Sequence, residues 1–241
     1  MRFTDKTAIV AGGAGGLGKG VTMALLAEGA KVLVLSRKQE SLDNLEKEAK
    51  NEGYEVSTMI ADVTDYEATK AAVAAAVDKF GRLDIMVSAP GGGGWMPLID
   101  ITLEFWEYEI RYNFYTVFNC FHNALQVMVP QKFGRLLCFM STTGGTPNLS
   151  AYGVAKASCQ SLMESITAEH KKDNITANGL MPSFVPTPFA LDSFDYPGGQ
   201  ELLDSFLANM PLGANTVENV TKTALNILDD ARLSGQTISL G

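Results

Sequence analysis

The chain has 241 residues, of which 46% are hydrophobic and 19% charged, a composition typical of one globular domain. Its formal net charge of −8 argues against a nucleic-acid-binding protein and gives no reason to expect attachment to an anionic membrane. The polar N-terminus does not resemble a secretory signal, and no apolar stretch approaches the ~20 residues of a membrane span. Cys120, Cys138 and Cys159 lack the spacing of a metal site or a disulfide framework. We therefore expect a cytoplasmic protein with no metal, nucleic acid or membrane as partner.

Short runs of β-branched and aliphatic residues alternate with longer helical patterns along the whole chain. Strands are predicted at residues 7–10, 31–35, 55–60, 83–87, 135–140, 175–180 and 237–240. Helices are predicted at 17–28, 40–52, 66–80, 104–129, 152–170, 200–208 and 217–231, with Pro130 ending the fourth. This alternation implies right-handed βαβ units. The sequence therefore predicts an α/β fold of one domain, a doubly wound parallel sheet of about seven strands with helices on both faces.

One long segment, residues 182–199, lacks clear periodicity and is rich in proline. A loop of this length in a compact domain is usually functional. We predict that residues at about 183–212 form a lid over a substrate site.

A glycine-rich loop stands between the first predicted strand and the first predicted helix. Glycines there permit positive φ angles and let the backbone approach a pyrophosphate, while the helix N-terminus attracts the anion. Such a turn alone is sometimes only a tight corner, but the flanking strand and helix match the context of a dinucleotide site and indicate a Rossmann fold. The expected phosphate-binding residues are Gly12, Gly15, Gly16, Leu17 and Gly18.

The end of the second strand, Ser36-Arg37-Lys38, contains no acid. NAD-binding domains usually place an acid here, and a carboxylate would repel a 2′-phosphate that a guanidinium can bind. We therefore predict NADP(H) as cofactor; the alternative is that these residues only form the solvated start of the next helix. Asp62 and Val63 are expected beside the adenine, unless Asp62 is instead the N-cap of the following helix.

Tyr152 and Lys156 are one helical turn apart, so both side chains face the same site. A free tyrosine has a pKa of about 10, and a nearby ammonium favours its phenolate, which suits proton transfer near neutral pH. Without other matches, the pair would only be a packed tyrosine and an exposed lysine. Together with the glycine loop, this Tyr-x-x-x-Lys pattern resembles the short-chain dehydrogenase/reductase family, over essentially the whole chain.

The resemblance implies roles for individual residues. Tyr152 is the general acid/base, and Lys156 lowers its pKa and holds the nicotinamide ribose. Ser141, or its neighbour Thr142, binds the substrate oxygen. Asn113 supports a proton relay. The residues expected at the remaining part of the cofactor are Ala89, Pro182, Val185 and Thr187.

The sequence also departs from the family pattern. Ala11 stands where the family has threonine, Ser88-Ala89-Pro90-Gly91 replaces Asn-Asn-Ala-Gly, and Pro182-Ser183 replaces Pro-Gly. We therefore expect the side-chain hydrogen bonds that brace this end of the sheet to be weakened or rearranged.

Open parallel sheets bind ligands beyond the carboxyl ends of their strands. Three segments are expected to converge there, at 91–97, at 142–149 and in the loop from 183 onward. The candidate substrate-binding residues there are Trp95, Thr142, Phe184 and Phe189. They predict either an apolar pocket for a hydrophobic carbonyl compound or a lid that closes through the same side chains. The four glycines at 91–94 predict a pliable loop at the entrance. Aromatic residues surround the helix at 104–129, so we expect it to be buried on all sides. The family resemblance implies that this helix and the Tyr152 helix pair with those of another subunit, so a homodimer or homotetramer is expected.

The resulting hypothesis is an NADP(H)-dependent oxidoreductase that interconverts a ketone and a secondary alcohol on a small to medium, partly hydrophobic substrate. One alternative is a 3-oxoacyl thioester reductase of the same family. Others are a non-catalytic NADP-sensing protein on this fold and a non-redox enzyme such as a dehydratase or epimerase.

Overall fold

Seven parallel strands form one sheet in the computed structural model, which describes residues 1–141, 145–192, 194–195, 198–210 and 213–241. The strands are β1 (Thr7–Ala11), β2 (Lys31–Ser36), β3 (Ser57–Ile60), β4 (Ile85–Ser88), β5 (Gly134–Phe139), β6 (Ile175–Pro182) and β7 (Thr237–Leu240). Their order is β3-β2-β1-β4-β5-β6-β7, and every neighbouring pair is parallel. All carboxyl ends therefore meet at one edge, and the chain reverses its direction of winding between β1 and β4, where such sheets bind ligands.

Helices cover both faces of the sheet. They are α1 (Gly16–Ala27), α2 (Gln39–Asn51), α3 (Tyr66–Phe80), α4 (Leu103–Ile110), α5 (Thr116–Gln131), α6 (Ser150–His170), α7 (Pro188–Asp192), α8 (Gly199–Ala208) and α9 (Val217–Asp229). Buried apolar side chains of α3, α5 and α6 form the core on one face, and those of α1, α2 and α9 form the core on the other. The predicted doubly wound Rossmann fold of one domain is therefore confirmed. In the part of the chain that the structure describes, no helix is both long and apolar enough to cross a bilayer.

Local signals explain where several helices begin and end. The Asp65 carboxylate accepts a hydrogen bond of 2.9 Å from the backbone N–H of Ala68 and caps α3. Gly81, with φ of 83°, ends the same helix in the left-handed conformation that glycine adopts at little cost. Both boundaries of α3 agree with the prediction, because the signals lie within the helix itself.

The predicted single helix at 104–129 is wrong in one respect: a π-helical turn, Arg111–Tyr115, separates α4 from α5. The side-chain amide of Asn113 donates to the backbone carbonyl of Glu109 at 3.1 Å, and in a regular α-helix that carbonyl would accept from the Asn113 backbone instead. π-Turns of this kind are frequent at functional sites. Pro130 lies inside the last turn of α5, which ends at Gln131, so the helix continues past the predicted stop.

Candidate active site

A cavity of about 840 Å³ lies at the carboxyl edge of the sheet, a volume typical of ligand sites. It collects most of the residues selected from the sequence. Those lining it are Gly12, Gly15, Gly16, Leu17, Gly18, Ser36, Arg37, Lys38, Asp62, Val63, Ala89, Trp95, Ser141, Tyr152, Lys156, Pro182, Phe184, Val185 and Thr187. Asn113 lies behind the cavity wall and reaches it through a loop. Thr142 and the side chain of Phe189 lie outside the described part of the structure.

The glycine loop forms a cradle between β1 and α1. Gly12 and Gly16 have φ angles of 70° and 50°, which side chains rarely adopt. A Cβ added to Gly18 would lie 2.3 Å from the carbonyl oxygen of Gly12, so the helix could not approach the strand as closely. The first turn of α1 has no side-chain cap. Its backbone N–H groups therefore suit an anion such as a pyrophosphate, and this cradle in a cavity of this size fits a dinucleotide.

Polar residues gather at the end of the cavity formed by β2 and β3. The Asp62 carboxylate accepts a hydrogen bond from the Thr64 backbone N–H at 2.9 Å. Since Asp65 caps α3, the alternative interpretation of Asp62 as the N-cap is wrong. The Ser36 hydroxyl accepts from the Lys38 backbone N–H at 3.2 Å and thereby shapes the turn that carries Arg37.

Tyr112 is a cavity residue that the sequence analysis missed. Its ring centroid lies 5.3 Å from the guanidinium carbon of Arg37, and its ring stacks on that of Tyr108. Burial raises the pKa of Tyr112, and the positive charge of Arg37 opposes that rise. The phenol is therefore neutral near pH 7 and presents an aromatic face to the part of the cavity where Arg37 lies. The one sequence signal that points to Tyr112 is its position directly before Asn113, a predicted site residue.

Tyr152 and Lys156 lie together on the first two turns of α6. The Lys156 Nζ atom lies 6.0 Å from the centroid of the Tyr152 ring and donates a hydrogen bond of 2.9 Å to the backbone carbonyl of Phe139. Lys156 is buried, so its ammonium is fixed at the end of β5 rather than free in solvent. Ser141, two residues after that strand, lines the same cavity. The structure thus brings a hydroxyl, a phenol and an ammonium to the same cavity.

Asn113 binds the glycine loop that follows β4. Its Oδ1 atom accepts from the Gly92 backbone N–H at 3.0 Å, and its Nδ2 atom donates to the Gly92 carbonyl at 2.9 Å. Nearby, the Gly94 backbone N–H donates to Glu109 Oε1 at 3.0 Å. The Ser88 hydroxyl, at the position where the family has a bracing asparagine, has no oxygen or nitrogen partner among the described residues. The bracing is therefore rearranged, and it comes from the α4–α5 side of the loop.

The loop at 91–94 is closely packed, contrary to the pliable entrance expected from its composition. A Cβ added to Gly91 would lie 2.6 Å from Lys156 Nζ, and one added to Gly93 would lie 2.6 Å from Cγ of the Tyr152 ring. Contacts under 3.0 Å are essentially never seen for real Cβ atoms. Glycine is thus required at 93, where a Cβ would meet the near end of the Tyr152 side chain, and a side chain at 91 would displace the Lys156 ammonium.

The remaining wall of the cavity is largely apolar. The rings of Phe184 and Phe194 meet edge to face with their centroids 6.0 Å apart, and Trp95 is half exposed at the rim. Leu149 and Leu202 also line this side. These described residues therefore give the cavity an apolar wall in addition to the polar Ser141–Tyr152–Lys156 group.

Other chemically reactive side chains have structural environments. The three cysteines are free and buried, and burial raises the pKa of Cys120 to about 12. His122 contacts Tyr66 with a hydrogen bond of 2.9 Å. Within the described ranges, no three His, Cys, Asp or Glu side chains are grouped so that they could hold a metal ion.

A parallel Rossmann sheet with a glycine cradle and a Tyr–Lys pair at one cavity defines a dinucleotide-dependent oxidoreductase. The family described as short chain dehydrogenase matches residues 6–196, well over half of the chain. The chain therefore belongs to the short-chain dehydrogenase/reductase family, whose members bind nicotinamide cofactors.

Individual relatives agree with this assignment. The chain is 29% identical to the 3-oxoacyl-(acyl-carrier-protein) reductase FabG of Thermotoga maritima over 100% of this chain and 98% of the relative. It is 31% identical to oxidoreductase UcpA of Salmonella typhimurium over 78% of this chain and 73% of the relative. A crystal structure of an actinorhodin polyketide ketoreductase variant with NADPH superposes with a TM-score of 0.92 at 24% identity, covering 99% of this chain and 96% of that one. This last likeness concerns the fold.

Proposed function

We propose that this protein is an NADP(H)-dependent oxidoreductase that interconverts a ketone and a secondary alcohol on a small to medium, partly hydrophobic substrate. The observation that carries the proposal is that Ser141, Tyr152 and Lys156 line the same cavity as the glycine cradle. A hydroxyl donor, a proton donor and a positive charge therefore stand in the cavity that suits a dinucleotide.

A bound nicotinamide supplies or accepts the hydride, and the residues of the chain handle the substrate oxygen and its proton. Ser141 donates a hydrogen bond to that oxygen and holds it near Tyr152. In reduction, the Tyr152 hydroxyl transfers its proton to the oxygen, which becomes the alcohol; in oxidation, the Tyr152 phenolate takes this proton up. The fixed ammonium of Lys156 stabilises the phenolate and also holds the ribose hydroxyls.

Asn113 supports the proton relay from behind the wall. Its amide fixes both polar groups of the Gly92 backbone, and the preceding residue, Gly91, packs on the Lys156 ammonium. We propose that this arrangement keeps the ammonium and its proton path in place through repeated turnovers.

The preference for NADP(H) is supported by the end of β2. Ser36, Arg37 and Lys38 line the cavity there, and the guanidinium and ammonium offer several N–H donors to a 2′-phosphate. The absence of an acid at this strand end removes the repulsion that would exclude the phosphate.

The apolar wall supports a hydrophobic ketone as substrate, and the proposed lid at about 183–212 would complete that wall through Phe184 and Leu202. A second candidate is a 3-oxoacyl thioester, favoured by the relative of that activity whose similarity extends over the whole chain. We further propose a cytoplasmic homo-oligomer without nucleic-acid or membrane partners. Tyr108, Tyr115 and Phe118, exposed on the α4–α5 side, support the assembly.

The deciding experiment measures oxidation of NADPH and NADH with a panel of cyclic ketones, aromatic ketones and 3-oxoacyl thioesters. Tyr152→Phe removes the proton donor but keeps the ring, so we expect turnover to fall by about 100-fold or more with NADPH binding retained. Tight NADPH binding without turnover of any substrate in either direction would instead support a sensor. Product formation without net change in cofactor absorbance would support a non-redox enzyme.

A further inference from the structure

Glu109 is a buried acid that the roles above do not use. It lies in the last turn of α4 and is 1% exposed. Its Oε1 atom accepts from the Gly94 backbone N–H at 3.0 Å, and its Oε2 atom accepts from the Asn113 side-chain amide at 3.1 Å. The two oxygens of one carboxylate therefore hold two different parts of the structure, the loop after β4 and the π-turn.

The loop at 91–94, after β4, connects the Glu109 carboxylate to Tyr152 and Lys156. On one side of the loop, Glu109 binds Gly94 and Asn113 binds Gly92. On the other side, the position of Gly93 leaves no room for a Cβ beside the Tyr152 ring. The loop is thus held on one side by two buried side chains and contacts the proposed proton donor on the other.

Both oxygens must act as acceptors for this contact to be complete, which requires the ionised carboxylate. Burial raises the pKa of Glu109, and its two hydrogen bonds oppose that rise. The titratable groups on the neighbouring elements include Arg111, Tyr112 and Tyr115 in the π-turn and Tyr152, Lys156 and Cys159 on the first half of α6. Of these, Tyr112 is close enough for the Glu109 charge to raise its pKa. Among the described residues, no cation forms an ion pair with Glu109. The backbone and amide N–H groups of Gly94 and Asn113 are therefore its main stabilising partners.

We propose that Glu109 is a positioning residue of the active site: its carboxylate holds the loop at 92–94 against Tyr152 and so sets the orientation of the proton donor. This inference rests on the proposed function for its catalytic part, while the holding of the loop is independent of it. When Glu109 takes up a proton, one oxygen becomes a donor that faces an N–H group, and one of the two contacts is lost.

Glu109→Gln tests the proposal, because it keeps the shape of the side chain but places an NH₂ group against an N–H donor. Glu107→Gln, an exposed acid on the same helix, is the matched control. We expect Glu109→Gln to lower kcat by about ten- to a hundredfold, as small misplacements of reacting groups do, with the NADPH dissociation constant within twofold of the control. An unchanged kcat would overturn the proposal, and so would an equally large loss of NADPH binding, since general damage would explain it.

A spectroscopic measurement separates the holding of the loop from turnover. Trp95 directly follows the loop, so in a Trp106→Phe background its fluorescence reports on this segment alone. We expect acrylamide to quench Trp95 about twofold more efficiently in Glu109→Gln than in Glu107→Gln. With intact Glu109, quenching should increase as the pH falls through the raised pKa of Glu109, and with Glu109→Gln it should not change with pH over that range. Equal quenching in the two variants would overturn the inference that Glu109 holds the loop at 92–94. If no ketone is reduced by the unmodified protein, the proposed function fails, and the quenching comparison alone then decides whether Glu109 holds the loop.

Discussion

Arg37 and Tyr112 illustrate how single side chains shape the end of the cavity that we assign to the adenosine of the cofactor. Stacking another ring between them would need about 7 Å, twice an ordinary contact distance, whereas the guanidinium carbon lies 5.3 Å from the Tyr112 ring centroid. An adenine must therefore bind beside this pair or displace Arg37 from the ring. A displaced guanidinium is free to pair with a 2′-phosphate in a bidentate manner.

Replacement of Arg37 should change cofactor preference more than catalysis. We expect Arg37→Ala to raise the KM for NADPH by about ten- to a hundredfold, the equivalent of one or two charge-assisted hydrogen bonds. The KM for NADH, which has no 2′-phosphate, should stay within about twofold. Steady-state kinetics with both cofactors measure this, with the exposed Lys47→Ala on α2 as the control. Equal losses for NADPH and NADH would show that Arg37 does not contact the phosphate.

At the scale of elements, the sequence predicts best what local signals determine. The cap of α3 lies in the helix itself, and its boundaries follow from Asp65 and Gly81. The π-turn depends on contacts between Asn113, Glu109 and the loop after β4, residues brought together only by folding. The hydrophobic periodicity of the sequence does not report such tertiary contacts, so it predicts one continuous helix. Tyr112 and Glu109 were missed for the same reason, since both acquire their surroundings from the tertiary structure.

Asp84 connects elements at the opposite, amino-terminal edge of the sheet. Its fully buried carboxylate accepts from the Thr7 backbone N–H at 2.9 Å and from two Arg82 nitrogens, the closer at 2.6 Å. Asp84→Ala leaves a buried N–H without its acceptor, so we expect the free energy of unfolding to fall by about 2–3 kcal/mol. Urea denaturation measures this, with the exposed Asp78→Ala on α3 as control.

Asp84→Ala also tests whether the amino-terminal edge of the sheet contributes to stability without affecting catalysis at the carboxyl edge. Because Asp84 lies away from the cavity, kcat and both KM values of folded Asp84→Ala should match those of the unmodified protein. A large fall in kcat with little loss of stability would contradict this division.

For the whole molecule, an alternating pattern of strands and helices was enough to predict a doubly wound sheet and the edge at which its cavity lies. Motif spacing then selected about half of the residues that line the cavity, because family positions such as Ser141 and Tyr152 follow strands or start helices at fixed places. The composition of the 91–94 loop was misleading. Four glycines in a sequence suggest freedom, but Gly91 and Gly93 reflect the close approach of Lys156 and Tyr152, and Gly94 reflects that of Phe105.

The proposed assembly makes a prediction at this scale. Tyr108, Tyr115 and Phe118, on the π-turn and the helices that flank it, are 55%, 44% and 36% exposed, and exposed apolar surface of this kind often marks a protein interface. We expect light scattering to give at least the mass of a dimer, and Phe118→Asp to shift the protein toward 25.9 kDa, the mass of one chain. The control is Lys79→Asp, because Lys79 is exposed on α3. The neighbouring Phe80 is unsuitable, because its ring packs on the core. A monomeric unmodified protein at micromolar concentration would refute the assembly.

The close packing of the 91–94 loop also limits how the cavity can be redesigned. Any side chain introduced at 91 or 93 would collide with Lys156 or Tyr152, to which we assign the proton transfer, so selection for a bulkier or smaller substrate has little scope there. Phe184, Phe194 and Leu202 line the cavity from the segment that follows β6, and substitutions that change their size leave the loop at 91–94 unaltered. Libraries aimed at altered substrate range should therefore be restricted to the residues after β6, with the loop after β4 left unchanged.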